Sequence, residues 1–143
     1  MSELEEKKAA ILERFKALRV LAKSDIKFDK ANFDKQFDTS EKVGKWIDKR
    51  YEWNSLCRSY EYKRNEAWKK AYEYYRTDYP IKIDNKEEYK NLIATDPAYH
   101  EIADMAHLVS DIVDFIDATI LNLKARSFEM QNFQQWIKFC HGG

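Results

Sequence analysis

From Ile102 onward apolar residues return every seven positions, at Ile102, Val109, Ile116, Leu123, Met130 and Ile137. A second set stands three residues further on: Met105, Ile112, Thr119, Arg126, Phe133 and Cys140. A seam sustained over about six repeats predicts one long helix with an apolar edge. Ala106, Val113 and Ile120 widen the edge on one side, and Leu108, Phe115 and Trp136 on the other. Asp96 and Pro97 mark the start of this helix, and no glycine or proline follows until Gly142. At ~1.5 Å per residue it is about 65 Å long, more than the width of a compact domain of this size. Other copies of the chain are therefore expected to cover it, with more than two helices around the axis, as in a barrel of protomers. Ile102, Val109, Ile112, Ile116, Leu123, Arg126, Met130, Phe133 and Ile137 are the residues assigned to that self-association. The alternative is a monomeric bundle in which the second and last helices cover each other.

The rest of the chain reads as helical too. Ser2 and Glu5 form a capping-box pattern, and Leu4, Ile11, Phe15, Leu18 and Ala22 recur at helical spacing to about Lys23. In the following "SDIKFDKANFDKQFDTS", a short extended piece at Ile26 and Phe28 and a helical turn through Phe33 and Phe37 are expected. A second long helix runs from about Ser40 to Tyr79, where Pro80 stops it. Asp84 and Glu87 are expected to cap a short helix before Asp96. The fold class is all-α, built on long amphipathic helices, with the C-terminal heptad helix forming a multi-protomer barrel or ring.

Composition agrees. Charged residues make up 35% of the 143 and hydrophobic ones 44%, with three glycines and two prolines, the balance of long helices with few breakers. No apolar run approaches a membrane span, and "MSELEEKKAAILERF" carries acids where a signal peptide needs a positive start, so a cytoplasmic protein is expected. Cys57 and Cys140 lack the spacing of a metal or redox site and read as reduced thiols. Lys plus Arg against Asp plus Glu number 11 to 7 over residues 41–82 but 5 to 10 over 83–143, an asymmetry that suits a polyanion partner for the middle or a contact between protomers.

On the second helix, one arc collects Trp46, Trp53, Leu56, Cys57, Tyr60, Ala67, Trp68, Ala71, Tyr74 and Tyr75 and is expected to be core. About 120° to 160° away, Tyr51, Arg58, Tyr62, Lys69 and Arg76 share an exposed stripe. Cations so spaced can follow a phosphate backbone while tyrosine rings stack on unpaired bases; a solvated face balanced by Asp48, Glu66 and Glu73 fits equally on chemistry alone. Within "KRNEAWKKAYEYYR", Lys63 and Lys70 add to the basic set. Arg50 and Arg64 lie on the apolar arc and call for acids, which Asp104, Asp111, Asp114 and Asp117 could supply. His100, Asp104, His107 and Asp111 share a helical face, but it lies opposite the seam and no matching Glu or His pair exists elsewhere, so paired, solvated side chains are expected and not a metal. No P-loop, glycine-rich phosphate turn or Ser or Cys beside a His at motif spacing is present; the reading is a non-enzyme without a cofactor.

"KWIDKRYEWNSLCRSYEYKRNEAWKKAYEYY" and "DIVDFIDATILNLKARSFEMQNFQQWIKF" resemble the two signature segments of the UvsY family, recombination mediators of T-even-type phages. The first does so through Lys45-Trp46, Lys49, Glu61 and Tyr74-Tyr75, the second through Asp114-Phe115 and Lys124-x-Arg126-x-Phe128. The resemblance runs from about Asp25 to Phe139 and leaves out the first helix. It implies a non-enzymatic helical protein in a ring of about six or seven protomers. Such a ring binds single-stranded DNA, contacts the phage strand-exchange recombinase and the single-stranded-DNA-binding protein, and acts in the cytoplasm of the infected bacterial host. The family's Lys-Ala-Arg-x-Asp-Tyr-Tyr segment, which contributes to DNA binding, corresponds to Lys69-Lys70-Ala71-Tyr72-Glu73-Tyr74-Tyr75, so Lys69 carries over and Ala71 stands where the family has arginine. Lys124 also matches a family motif. The expected nucleic-acid contacts are thus Arg58, Tyr62, Lys63, Lys69, Lys70, Arg76 and Lys124. The chain divides into a helical DNA-binding region at 1–82, a linker with a short helix at 83–95 and an oligomerisation helix at 96–143. The opposing reading is an oligomeric adaptor that binds protein partners and no nucleic acid.

Overall fold

The computed structural model describes residues 2–27 and 39–142, and every regular element among them is helical. Helix α1 (Glu3–Ile26) starts at the expected capping box: the Glu5 amide donates to the Ser2 hydroxyl and the Ser2 amide to the Glu5 carboxylate. It runs one turn past the expected end, so Ile26 closes a helix and does not begin a strand. Phe28, Phe33 and Phe37 lie outside the described residues. Helix α2 (Thr39–Glu73) is followed by a π-helical turn (Tyr74–Asp78). Helix α3 (Lys86–Thr95) is capped by Asn85, which accepts from the Glu87 amide; Asp84 was the expected cap. Helix α4 (Pro97–Cys140) begins as expected, with Asp96 accepting from the Tyr99 amide and Pro97 in the first turn, where its missing N–H costs nothing.

α2 lies antiparallel along α4, Arg50 pairing with Asp117 and the Thr39 hydroxyl meeting the Met130 sulfur at 3.5 Å. Arg50 thus finds one of the acids it called for. The seam of α4 disappears into this contact: Val109, Ile112 and Ile116 are 0% exposed, and Met105, Leu123, Thr119 and Met130 are buried. Trp46 and Trp53 enter the same core from α2, and Ile11, Leu18 and Ala22 from α1. The first and last of the three stretches distinguished in the sequence, 1–82 and 96–143, share this one core.

This corrects the assignment of five of the nine seam residues to self-association. Val109, Ile112, Ile116, Leu123 and Met130 have no surface left to offer a second copy, because α2 at 35 residues is long enough to cover them within one chain. Ile102, Arg126, Phe133 and Ile137 are half-buried. The Leu108 and Phe115 flank is covered by α1, with the Phe15 and Phe115 rings 5.4 Å apart. Past Met130, α4 continues ten residues, about 15 Å, beyond the level of Thr39.

α1 is fastened at three levels. Lys8 pairs with Asp104 at 2.8 Å, which draws that carboxyl below its ordinary value. Asp104, read in the sequence as paired along the face it shares with His100, His107 and Asp111, has its partner on α1 instead. Arg14 lies over the Trp53 ring, 4.4 Å from its centroid, and pairs with Glu52 at 2.6 Å. At the far end Asp25, with its side chain 10% exposed, accepts from the Trp46 indole at 2.9 Å and from Lys45 at 2.7 Å. Burial alone would raise the Asp25 carboxyl, but the Lys45 and Trp46 hydrogen bonds and the Lys45 and Lys42 charges outweigh it and hold it below 3.8.

Asp25→Ala should therefore cost about 1.5 to 3 kcal/mol in urea unfolding at pH 7, since it strands a fully buried indole N–H beside an unpaired lysine. Because the folded pKa is depressed, this stabilisation is fully present above pH 3.8 and disappears as pH falls through the folded value. Wild type and variant should converge on the acid side. A constant gap between the two down to pH 2 would contradict the assigned charge state.

Candidate nucleic-acid interface

The outer side of α2 and the π-helical turn after it carry most of the residues singled out in the sequence. Arg58, Tyr62, Lys63, Lys69, Lys70 and Arg76 are all exposed, Tyr62 to 67%, and Tyr51 further down the helix to 69%. α2 can hold them on one wet side because its opposite side is taken up by Trp46, Trp53, Cys57, Tyr60 and Ala71. From Tyr51 to Lys69 the stripe spans about 27 Å.

Tyr62, Lys63 and Lys70 come together with Tyr74 along one groove of about 480 Å³, whose other wall is the start of α4. Lys63 also lies over the Tyr60 ring, 4.9 Å from its centroid. Lys69 stands apart from this groove and meets Glu66 at 3.5 Å, an exposed pair of little energetic weight. Lys124 is at the other end, sharing a shallow hollow with Ile47, Tyr51 and Leu121, so the structure joins it to the Tyr51 end of the stripe and not to Lys63 and Lys70.

Arg76 departs from the expected register. It lies in the π-helical turn, where the Tyr79 amide reaches back to the Tyr74 carbonyl at 2.9 Å and the chain winds more slowly than the 100° per residue that aligned it with Lys69. That turn is held in place by a tyrosine bracket. The Tyr75 hydroxyl donates to Asp96 at 3.0 Å, and the Tyr75 ring meets Tyr74 at 5.0 Å and Tyr79 at 5.1 Å. Burial, then the Asp96 carboxylate, push the Tyr75 phenol above 10.0, so it remains a donor at neutral pH.

Trp68 and Tyr74 were expected in the core and are instead 41% and 46% exposed; Tyr75 is half-buried. The reason is the antiparallel pairing. With Arg50 beside Asp117, Trp68 comes level with the first turn of α4, and the helix that would have covered it begins only at Pro97. Pro97 was the available signal.

Arg126 is neither buried on the seam nor free. Its Nε donates to the Ile26 carbonyl at 3.1 Å, capping the C-terminus of α1, while another nitrogen pairs with Glu129 at 2.6 Å. Among the described residues no group of three or more His, Cys, Asp or Glu is placed to hold a metal, and no helix is long and apolar enough to cross a membrane.

Comparison with known proteins bears on these surfaces. A family model described as "Recombination, repair and ssDNA binding protein UvsY" matches residues 21–143. Crystal structures of the bacteriophage T4 recombination mediator protein UvsY share the fold. Lattice type IV superposes with a TM-score of 0.77 over 87% of this chain and 97% of that one, at 18% identity. Lattice type II gives 0.76 over 90% and 97%, and type I gives 0.73 over 86% and 98%, both also at 18% identity. No curated protein sequence gives a significant match.

The Arg126 cap is open to direct test. With its side chain 38% exposed and its partners on its own chain, Arg126→Leu should lower stability by only about 1 kcal/mol, through the loss of one charged contact to a helix C-terminus. A loss of more than about 3 kcal/mol would mean that an acid depends on this charge for its neutralisation.

Proposed function

The chain belongs to the UvsY family of recombination, repair and single-stranded-DNA-binding proteins, and from that premise we propose that it is a recombination mediator. In this reading it binds single-stranded DNA along the outer side of α2 and helps load a strand-exchange recombinase in place of the single-stranded-DNA-binding protein, in the cytoplasm of an infected bacterial host. The family match over residues 21–143 carries the proposal. The layout of α2 and of the π-helical turn that follows it supports the proposal: Arg58, Lys63, Lys69, Lys70 and Arg76 stand in water with Tyr51 and Tyr62 among them, and the other side of α2 is packed in the core. Phosphates are neutralised by such cations, and tyrosine π-faces stack on any base, so binding tolerates every sequence and favours strands whose bases are unpaired. Lys124, beside Tyr51, extends the track at its far end.

The mediator acts as a ring of copies. With the seam consumed inside the protomer, the surface left for a neighbour is the other side of α4. Leu121, Phe128 and Phe139 are 67%, 70% and 81% exposed. At steps of seven and eleven they fall within about 20° of one another around the helix. Trp136, 61% exposed, adds to the same end. An exposed apolar line of this kind is covered by association.

If about four cations per protomer engage phosphates, the logarithmic salt slope for single strands is roughly −3, and affinity falls about fiftyfold between 50 and 200 mM salt. Lys69→Ala and Arg76→Ala should each flatten that slope by somewhat under one unit and leave the assembly size unchanged. Unaltered affinity and slope in the double variant would favour the adaptor reading, in which α2 contacts proteins only.

Replacing Phe128 and Phe139 together by Asp should shift sedimentation toward smaller species and weaken DNA binding, because linked weak sites become single ones. Retention of the wild-type mass would place the contact between copies elsewhere.

A further inference from the structure

Trp68 is an exposed aromatic that the core does not explain. Its ring lies parallel to that of Tyr72, with centroids 5.4 Å apart and an interplanar angle of 6°. Tyr72, half-buried, leans in turn on Tyr89 of α3 at 5.6 Å and 45°. The three rings form a graded stack: Tyr89 backs Tyr72, Tyr72 backs Trp68, and Trp68 is 41% open to solvent. An indole held this way by a neighbour one helical turn on has lost most of its freedom before anything binds to it, so a flat ligand added to the stack meets a preorganised face.

The charge around the stack says what kind of flat ligand suits it. Lys69 follows Trp68 directly and is 70% exposed, meeting Glu66 in a long contact of 3.5 Å. Arg76, four residues past Tyr72, is exposed as well, whereas Lys70 lines the groove with Lys63 and Tyr74. A hydrophobic protein segment would gain little from these cations, whereas a nucleotide presents both parts of the match, an aromatic base and an anionic phosphate.

We propose that Trp68, backed by Tyr72, is a base-stacking platform for single-stranded nucleic acid, continuing the track of Arg58, Tyr62 and Lys69. The proposal rests on the single-stranded-DNA reading above and adds to it a residue and a mode of contact. Stacking uses the π-face and not the charge, so Trp68 contributes to affinity without contributing to its salt dependence.

The test uses the full chain and two labelled oligonucleotides, an oligo(dT) and the same backbone with abasic sites. Trp68→Leu keeps an apolar side chain against Tyr72 but has no π-face; Trp68→Phe keeps a ring. Trp68→Leu should weaken oligo(dT) binding at least about fivefold per site, leave abasic binding and the salt slope unchanged, and so erase the preference for bases. Trp68→Phe should restore most of that preference, which a variant acting only through stability would not do. Equal affinity of Trp68→Leu and wild type for oligo(dT), or equal losses on both oligonucleotides, would overturn the platform while leaving the cation track standing. Wild-type protein that binds neither strand in low salt would instead remove the single-stranded-DNA reading, and the platform with it.

Discussion

Trp46 and Trp53 press from α2 into the core built around Val109, Ile112 and Ile116 of α4, and the remaining elements are arranged by that antiparallel contact. A tryptophan takes about 150 to 250 Å² out of water, so each contributes roughly 4 to 6 kcal/mol of transfer free energy as an upper estimate. Without it neither long helix has a reason to persist, since isolated helices in water are marginal. With it, the direction of every other side chain on α2 is decided. α1 then closes the Leu108 and Phe115 flank, which two helices alone would leave wet.

The polar contacts work on a different level. The pairs Lys8 with Asp104, Arg14 with Glu52 and Arg50 with Asp117 all sit at the rim, each partner well exposed, where an ion pair contributes at most about 1 kcal/mol. Their role is to fix register: they specify which residue of α1 or α2 stands opposite which residue of its neighbour, a matter that an apolar seam with a repeating pattern leaves open. Asp25 differs because its side chain is only 10% exposed, joining the end of α1 to the start of α2 through a charge that is both hydrogen-bonded and neutralised. Among the described residues, the cations of the outer stripe on α2 stay outside that network apart from the loose contact of Lys69 with Glu66.

Much of this was legible in the residues. Ser2 with Glu5, and Asp96 with Pro97, announce two helix starts because each supplies an acceptor, or dispenses with a donor, where the helix needs it. The seven-residue repeat identified the buried edge of α4. It did not say what buries it, since periodicity reports that a face is dry and is silent on whether the cover comes from the same chain. The same silence misplaced Trp68: its angle on α2 is that of a core residue, and only the antiparallel register shows that α4 is just beginning at its level. The π-helical turn has no glycine or proline to signal it; it depends on the distant Asp96 that Tyr75 reaches. Arg126 fell on the seam by spacing, yet a long flexible side chain could swing to the Ile26 carbonyl 100 positions away in sequence.

The four tryptophans are divided evenly between two environments, 0% and 2% exposed at Trp46 and Trp53, 41% and 61% at Trp68 and Trp136. The protein therefore carries two optical probes of each kind. Indoles in a dry core emit at shorter wavelength than hydrated ones and are shielded from soluble quenchers. Loss of the core moves the short-wavelength half of the emission, while events on the outer side of α2 or at the end of α4 touch only the quenchable half, so one spectrum separates unfolding from surface occupation.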